Sequence, residues 1–391
     1  MTTRRETRYY LLAEGQDLPE ELRQCVEAVR YSEAVVGRPA PTAELKLTVA
    51  NPGYRWSDAD WLQPGVNLDL LISLSGLEAD AQHVARLQVV KAPPEFVREG
   101  APRMDVIARD PSDPARAGDV VRSWPRQSDT QRVRRIAQEH GWATRWGSQD
   151  TIARGGSTAD GDQQAPDFRY LSELAGRYNY DVAMRWDPRA GRWALCWGQP
   201  LEDTSQARDL RHNYPDWPVE DQVLEFRPIM ASAGRQVTGL QVAGFDHQTK
   251  QVVTTKTRLV LNRETYKYEE QQVQSVERQA VGSTIRASVF GEAVRIDAGR
   301  VLHSRQQAEA LAESWLREHG DQFISGRGVL AGHPEIRAGQ VHDLSFYATE
   351  RQGPRRIGRY SGRYLLTSVE HRLVKGQPYV VGFGARLKAR P

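Results

Sequence analysis

Apolar and polar residues alternate along the first part of the chain, up to about residue 122. Residues 44–49 (Glu-Leu-Lys-Leu-Thr-Val) have apolar side chains at every second position, and residues 65–70 repeat that pattern. Residues 86–90 and 104–108 are further runs of this kind, and Pro or Gly turns separate the runs. Because successive side chains of a strand point to opposite faces, the alternation predicts half-buried strands. Short strands at this spacing favour a β-barrel or a sandwich.

The middle segment, residues 123–200, changes from an alternating pattern to the helical one. Ser128 or Asp129 can cap a helix that ends at Gly141, and Asp167 can cap a second helix. Both predicted helices carry their apolar residues on one stripe, which is typical of helices that pack against a core.

Two runs rich in Val, Ala and Trp, residues 180–186 and 192–197, flank the sequence Asp-Pro-Arg-Ala-Gly and predict a β-hairpin. Residues 147–166 are rich in Gly, Ser, Asp and Gln, and that composition is typical of a flexible loop. Together with the two helices, the hairpin indicates a small α/β unit in the middle of the chain.

The last segment, residues 201–391, returns to the alternating pattern. Strands are predicted at residues 223–226, 236–243, 251–261, 342–347, 364–369 and 379–385. A capping box formed by Ser304 and Gln307 predicts a helix over 304–320. The polar residues 262–288 predict an exposed loop or a long excursion.

These patterns predict a mainly β (α+β) fold with three domains. A first β-barrel domain would cover 1–122, a small α/β insert 123–200, and a second β-barrel domain 201–391 with the helical excursion at 304–320. Two to four domains suit a chain of 391 residues. Barrels at both ends are compatible with a duplication, but no direct sequence repeat joins the halves.

The charge balance gives no reason to expect nucleic acid or an anionic membrane as a partner. The 53 basic and 50 acidic residues leave a formal net charge of +3, and the two signs are interleaved. Cys25 and Cys196 are most simply interpreted as buried thiols in a reducing compartment. With no apolar run long enough for a signal peptide or a membrane span, we expect the protein in the cytoplasm unless a larger machine carries it out.

The sequence predicts no catalytic, cofactor-binding or metal-binding residues. It contains no His-Glu-x-x-His helix, no Gly-x-Ser-x-Gly elbow and no Gly-rich phosphate loop. We interpret His371 as a packing or rim residue, because Glu370 precedes it in a predicted strand and must point to the other face. Gly326-Arg-Gly328 is interpreted as a turn between a helix and a strand.

Ten tryptophans permit an interpretation as a carbohydrate-binding or peptidoglycan-binding protein, since aromatic faces bind sugars. Core packing and subunit contact are the favoured alternatives. In the predicted hairpin, Trp193 and Trp197 share one face. A subunit interface would also explain the tryptophans in or near loops, namely Trp56, Trp61, Trp124, Trp142, Trp146 and Trp217.

Three stretches together resemble the phage late control protein D family, which includes the hub domain of VgrG spike proteins. Residues 128–141 resemble the family's helix that enters Ile-Ala-x-x-His-Gly. Residues 164–180 are similar to its Leu-Ala-x-x-x-Gly-Tyr helix, with Pro166 and Asn179 at two positions where the family has Ser and Gly. The third stretch is the C-terminal strand region, in which residues 332–339, 360–373 and 376–386 resemble the family's closing turn and strands.

This resemblance implies a structural baseplate hub of a contractile tail or injection system, and no enzyme. It implies a homotrimer in which each subunit supplies two tube-type barrels, giving a pseudo-six-fold ring that nucleates the tube. The implied partners are an inner tube protein or tube initiator above, a separate spike protein below and baseplate wedge proteins around the ring.

The resemblance carries over no cofactor and no catalytic residue, and it implies no nucleic acid contact for folding. Assembly in the cytoplasm of the producing bacterium, into the baseplate of the particle, is expected. Two alternatives remain: a peptidoglycan-binding or peptidoglycan-degrading tail component, and a tube or minor tail protein that forms rings without a spike.

Overall fold

The computed structural model describes residues 7–35, 43–146, 162–178, 180–187, 190–198, 202–230, 239–246, 251–262, 267–271, 294–297, 324–350 and 353–388. It confirms a mainly β fold with large antiparallel sheets. The described residues contain three α-helices: α1 (Glu20–Cys25), α2 (Asp129–Glu139) and α3 (Asp167–Tyr178).

The strands fall into three groups along the chain. The first group comprises β1 (Arg8–Ala13), β2 (Gln16–Asp17), β3 (Val26–Ala34), β4 (Ala43–Ala50), β5 (Asn67–Ser73), β6 (Gln82–Lys91) and β7 (Arg103–Arg109). The second comprises β8 (Val121–Ser123), β9 (Ala143–Trp146), β10 (Asp162–Gln164), β11 (Asp181–Asp187) and β12 (Arg192–Gly198). The third comprises β13 (Asp209–His212), β14 (Val223–Met230), β15 (Gly239–Asp246), β16 (Gln251–Asn262), β17 (Lys267–Gln271), β18 (Val294–Asp297), β19 (Ile324–Ala331), β20 (Val341–Glu350), β21 (Gly353–Arg356), β22 (Gly362–Val374) and β23 (Val380–Leu387).

The segments in which apolar and polar residues alternate form strands with one buried and one solvent-facing side. In β4, Leu45, Leu47 and Val49 are fully buried, while Glu44 and Lys46 lie on the other side. Each buried Leu or Val contributes roughly 1.5–3 kcal/mol relative to exposure, so a one-residue slip of register would lose the whole set.

Twelve of the fourteen strands of the large sheet fall into two sets of six, and β2 and β21 pair with β1 and β20 at its margins. The N-terminal strand set consists of β1, β3, β4, β5, β6 and β7, and the C-terminal strand set of β13, β14, β19, β20, β22 and β23. Numbered by their order along the chain, the strands of both sets are arranged in space as 2-3-6-5-4-1. The first strand differs in direction, since β1 runs antiparallel to β5 whereas β13 runs parallel to β20. The shared order supports duplication of one strand set, although no sequence repeat marks it.

In the C-terminal strand set the first and second strands also come together. A bridge joins Arg211 of β13 to Gln222, the residue before β14, and the His212 ring lies 2.8 Å from the carbonyl oxygen of Val223. These contacts bring β13 next to the start of β14.

The two strand sets join through β3 and β22. These strands pair antiparallel from Ala28↔Val374 to Ala34↔Ser368, and one hydrophobic core continues across the junction. Tyr31 of β3 and Tyr364 of β22 are both fully buried in it. The junction therefore holds both sets in one sheet with a shared interior.

Between the two sets, the chain forms the small α/β unit that the sequence predicts. Ser128 caps α2 and forms a capping box with Gln131, so Ser128, and not Asp129, is the N-cap. The β11–β12 hairpin is confirmed, and β9 adds to β12 in parallel. A separate core contains Trp124, Val133, Ile136, Phe168, Leu171, Leu174, Tyr180, Leu195 and Trp197. We call this group the insert core.

Trp193 connects this unit to the N-terminal strand set. Its indole N–H donates to the carbonyl oxygen of Arg86, 2.9 Å away, and its ring packs against both cores. His83 of β6 meets Trp186 edge-on, with ring centroids 5.3 Å apart. Trp193 and Trp197, which the sequence predicts on one face of the hairpin, have different neighbours. Trp197 lies within the insert core, whereas Trp193 also contacts the core of the large sheet.

A smaller four-stranded sheet, ordered β17-β16-β15-β18, follows β14 in the chain. It includes the predicted strands at 239–243 and 251–261. The predicted residues 236–238, the helix over 304–320, and the loop residues 147–161 and 272–288 lie outside the described residues.

Several sequence-based predictions were wrong in detail. Residues 162–164, expected within a flexible loop, form β10 and pair with β8. Residues 267–271, expected in an exposed loop or a long excursion, form β17 and pair with β16, so they are not a loop. Both segments are polar, and backbone pairing to a neighbouring strand, not apolar alternation, places them in sheets.

Asp167 does not cap α3 from outside but stands in its first turn. Its carboxylate is engaged elsewhere: it accepts from Gln163 at 2.7 Å and from Arg122 at 3.2 Å, and it lies 2.8 Å from the His140 ring. An acidic group in the first turn is favourable because the helix N-terminus is partly positive.

Gly326 and Gly328 do not form a turn between a helix and a strand, because both lie inside β19. A Cβ atom on Gly326 would lie 2.5 Å from a ring carbon of Phe226, and one on Gly328 would lie 2.5 Å from a ring carbon of Phe383. Any larger residue at these positions would collide with the rings, which explains why two glycines occur in a strand interior.

The tryptophans near loops divide into two groups. Trp56, Trp124 and Trp142 are buried, with 7%, 1% and 7% of their surface exposed, so core packing explains them. Trp61, Trp146 and Trp217 are partly buried. Because Trp56, Trp124 and Trp142 are buried within the chain, they need no subunit interface to explain them.

Candidate assembly surface

Eight strands form one continuous run within the large sheet, in the order β14-β19-β23-β22-β3-β4-β7-β6. Four come from each strand set, and every neighbouring pair in the run is antiparallel. One side of the run covers the hydrophobic core. We call the opposite side, which carries charged residues and glycines, the polar face.

The register arranges the polar face in rows that cross several strands. One row is acidic and runs through Glu225, Glu370 and Glu44, with Val329, Gly382 and Ser32 between them. A basic row on one side of it joins Arg372, Arg30 and Lys46. A second basic row, on the other side, pairs Arg227 with Arg327. The rows therefore alternate in the sign of their charge.

A groove of about 550 Å³ crosses the middle of the polar face. Gly382 and Gly384 form its floor, and Arg327, Arg372 and Glu370 are among the residues that line it. A Cβ atom at Gly384 would lie 2.6 Å from the Ser368 hydroxyl oxygen. The missing side chains at these two glycines thus open the groove between longer neighbours.

Beneath the polar face, a largely buried ion pair joins the two strand sets. The Arg337 guanidinium donates to both carboxylate oxygens of Glu33, at 2.8 and 3.0 Å, and to the Tyr31 hydroxyl at 3.1 Å. Burial by itself would raise the pKa of Glu33, but the charge and hydrogen bonds of Arg337 outweigh burial and lower it. The carboxylate therefore stays ionised, and Arg337 of the C-terminal part is held on β3.

His371 lies next to this ion pair and is fully buried, which confirms the packing role predicted for it. The carbonyl oxygen of Ile336 can only accept, so the His371 Nε2–H donates to it at 3.0 Å, and Nδ1 accepts from the Tyr379 hydroxyl at 2.7 Å. Burial, together with the charge of Arg337, lowers the pKa of His371 to about 4. The ring is therefore neutral near pH 7.

Each end of the eight-strand run leaves part of its backbone unpaired, and we call these parts the open edges. At one end, β14 pairs with β19 on one side, and from Leu224 onward no described strand pairs with its other side. At the other end, β6 is paired with β5 up to Gln88 and bonded through Val89 to residues 65–66, so that side of the chain is open only after Val89. β22 holds the same place in the C-terminal strand set as β6 in the N-terminal one. Its first residues pair with β20, and its later residues pair with β3.

Exposed apolar side chains lie at both open edges. Leu224 and Ile229 of β14 are 49% and 58% exposed, and Val219, just before β14, is 61% exposed. Beyond β6, Phe96 is 76% exposed and packs against Tyr54 at a centroid distance of 5.1 Å. Open strand edges with apolar residues are typical of surfaces that pair with another chain.

The described residues contain no group of three or more His, Cys, Asp or Glu side chains placed to hold a metal ion. No helix in the same part of the chain is long and apolar enough to cross a membrane. Cys25 and Cys196 are free thiols, and burial raises the pKa of Cys196. Sequence reasoning did not identify the polar face and its open edges, because strand pairing is not visible in an isolated sequence.

Comparison with solved structures identifies the same fold in phage tail proteins. A tail protein from Neisseria meningitidis MC58 aligns over 97% of this chain and 96% of its own, with a TM-score of 0.62 and 9% identity. The 43 kDa tail protein of prophage MuSo2 from Shewanella oneidensis aligns over 97% and 98%, with a TM-score of 0.59 and 12% identity.

A third similar structure is the Escherichia coli c3393 protein, a component of the type VI secretion system with similarity to the T4 tail proteins gp27 and gp5. It aligns over 97% of this chain and 79% of its own, with a TM-score of 0.53 and 12% identity. The sequence matches no protein-family model and no curated protein. At these identities the likeness establishes a shared fold, and it confirms at that level the resemblance seen in the sequence.

Proposed function

We propose that this chain is a structural baseplate hub of a contractile tail or injection system, and not an enzyme. Three copies would form a ring of six strand sets that adapts a six-fold inner tube to a three-fold spike and nucleates tube assembly. The observation that carries the proposal is the eight-strand run, in which two similarly ordered strand sets are already joined edge to edge within one chain.

The junction inside the chain provides the template for contacts between chains. It joins the second strand of the N-terminal set, β3, to the fifth strand of the C-terminal set, β22. The corresponding strands that lack such a junction are β14, second in its set, and β6, fifth in its set. Pairing β14 of one copy with the region of β6 in the next would repeat the junction between chains.

Such a contact is head-to-tail, and head-to-tail contacts either close into a ring or continue as a filament. Closure at three copies follows from the proposed match to a six-fold tube, since each copy supplies two strand sets. Pro228 in β14 and Pro93-Pro94 beyond β6 lack backbone N–H groups, which limits the registers in which these edges can pair. The edges are thus suited to one partner and resist unspecific pairing.

The partners in this proposal are an inner tube protein or tube initiator above the ring, a spike protein below it and wedge proteins around it. Assembly would occur in the cytoplasm of the producing bacterium. The alternative of a peptidoglycan-binding component receives less support, because Trp56, Trp124, Trp142, Trp186 and Trp197 are all buried and offer no open face to a sugar.

Light scattering of the purified protein, alone and mixed with the spike protein of the same particle, tests the proposal. We expect either a mass of three times 44.1 kDa or a monomer that the spike drives to a three-to-three complex. The double variant Leu224→Asp/Ile229→Asp should remain monomeric, because charges would replace apolar contacts at the β14 edge.

Val121→Asp is the matched control, since Val121 is 81% exposed but lies in β8, away from both open edges. The control should assemble like the natural chain. A protein that stays monomeric with the spike, or a β14 variant that still forms trimers, would contradict the proposal.

A further inference from the structure

Like charges face each other directly across neighbouring strands of the polar face. Arg372 is opposite Arg30, Arg30 is opposite Lys46, and Arg227 is opposite Arg327. Directly opposed like charges destabilise a sheet. Three such pairs on one face therefore carry a cost that the fold does not require, since the core lies on the other side.

The carboxylates of this face are already engaged with part of these cations. Glu370 pairs with Arg372 at 2.8 Å, Asp105 with Lys46 at 2.7 Å, and Glu44 with Arg109, a further cation of this face, at 3.0 Å. Glu225 pairs with Arg227, its neighbour on β14. Within the described residues no carboxylate pairs with Arg30 or Arg327, and both arginines are exposed. The polar face thus presents two surplus guanidinium groups beside a glycine-floored groove.

From this arrangement we propose that the polar face binds an acidic polypeptide segment, which lies across the groove and pairs its carboxylates with Arg327 and Arg30. Guanidinium groups bind carboxylates through paired, charge-assisted hydrogen bonds, which makes arginine well suited to the role. The groove is open to solvent, and Arg327 and Arg372 line it, so an extended segment can reach both side chains. Bound carboxylates would also screen the opposed cations from each other.

The alternating rows favour a polypeptide over a nucleic acid. Glu225 and Glu370 line the same groove as Arg327 and Arg372. A DNA duplex carries about one negative charge per 1.7 Å of its axis, so its phosphates cannot avoid the acidic row. In an extended polypeptide, side chains on one face lie roughly 6.8 Å apart, and charged and neutral residues can be placed to match the rows.

This inference rests on the proposed function in one respect: in a closed ring the polar face would line the lumen, so the acidic segment would be one that enters the lumen. The binding surface itself lies within a single chain. Binding and ring formation can therefore be measured separately.

Fluorescence anisotropy with a labelled peptide of alternating Glu and Ser tests the inference, with a Lys-Ser peptide and a short DNA duplex as competing probes. The natural chain should bind the acidic peptide best at low salt. The double variant Arg30→Gln/Arg327→Gln should weaken binding by about tenfold or more, since it removes two charge-assisted contacts.

Arg169→Gln/Arg355→Gln is the matched control, because it removes the same charge from exposed arginines of α3 and β21. This control should bind the peptide within about twofold of the natural chain. Urea unfolding midpoints of both double variants establish that they fold.

Three results would overturn the inference: no binding of the acidic peptide, equal loss in both double variants, or preferred binding of the DNA duplex that depends on Arg30 and Arg327. Light scattering of the same samples reports on ring formation independently. Normal trimers without peptide binding would reject the inference alone, whereas peptide binding by a protein that never assembles would reject the proposed function alone.

Discussion

His371 lies at the junction of the strand sets with both ring nitrogens hydrogen-bonded and with Tyr31 stacked on it at 5.8 Å. Its pKa is lowered to about 4 by burial and by Arg337, whereas an unfolded chain has the ordinary value of 6.5. Between these pH values the unfolded chain binds a proton that the folded chain does not. The free energy of unfolding should therefore fall as the pH drops from 6.5 to 4, by roughly 3 kcal/mol at most from this residue.

Urea unfolding across this pH range measures the effect. His371→Gln should be less stable than the natural chain near neutral pH but lose stability less steeply on acidification. Part of the slope should remain, because the pKa of His342 is also lowered to about 4, mainly by burial. An unchanged slope in His371→Gln would show that His371 is not the responsible group.

The sequence predicts the role of His371 because alternation with Glu370 assigns the two residues to opposite faces. It does not predict the ion pair beside it. Glu33 and Arg337 are 304 residues apart, and nothing in either segment indicates that they meet. Contacts of that kind depend on the pairing of β3 with β22, which is a property of the folded chain.

Within β19, Gly326 and Gly328 leave space that the rings of Phe226 and Phe383 occupy. Gly328→Ala should lower the free energy of unfolding by about 1–3 kcal/mol, because the new Cβ atom would lie 2.5 Å from Phe383 and 2.6 Å from the Glu225 carbonyl oxygen. Gly176→Ala is the matched control in α3, where a Cβ atom meets nothing within 4 Å. It should raise stability by about 0.5–1 kcal/mol. Equal effects of the two substitutions in chemical denaturation would contradict this account.

Strand prediction succeeds or fails according to the source of each strand's stability. β4 and β7 are evident in the sequence, because their buried sides carry Leu, Val and Met at every second position. β10 and β17 are polar, and β19 (Ile-Ser-Gly-Arg-Gly-Val-Leu-Ala) mixes small and charged residues. Pairing with neighbours and contact with Phe226 and Phe383 hold β19 in place, and these partners lie far away in the chain.

At the scale of the whole molecule, the sequence indicates barrels at both ends but not how they are related. The shared strand order 2-3-6-5-4-1 becomes visible only through the hydrogen-bonded neighbours. Low similarity between the halves is physically reasonable, because a strand needs only the alternation of apolar and polar residues, which many sequences satisfy. The two sets differ in the direction of their first strand, since β1 is antiparallel to β5 and β13 is parallel to β20.

We further propose that residues 123–200 form a domain whose stability is separable from that of the large sheet. Leu171 is fully buried in the insert core, so Leu171→Ala should cost about 2–5 kcal/mol. Hydrogen exchange should then speed up in α2, α3, β11 and β12, while amides of the eight-strand run keep their protection. The matched substitution Leu47→Ala in β4 should have the reverse distribution, since Leu47 belongs to the core of the large sheet.

If Leu171→Ala instead lowered protection evenly through both cores, the contacts of Trp193 and Trp186 would couple the insert to the sheet as one cooperative unit, and the proposed domain division would be wrong.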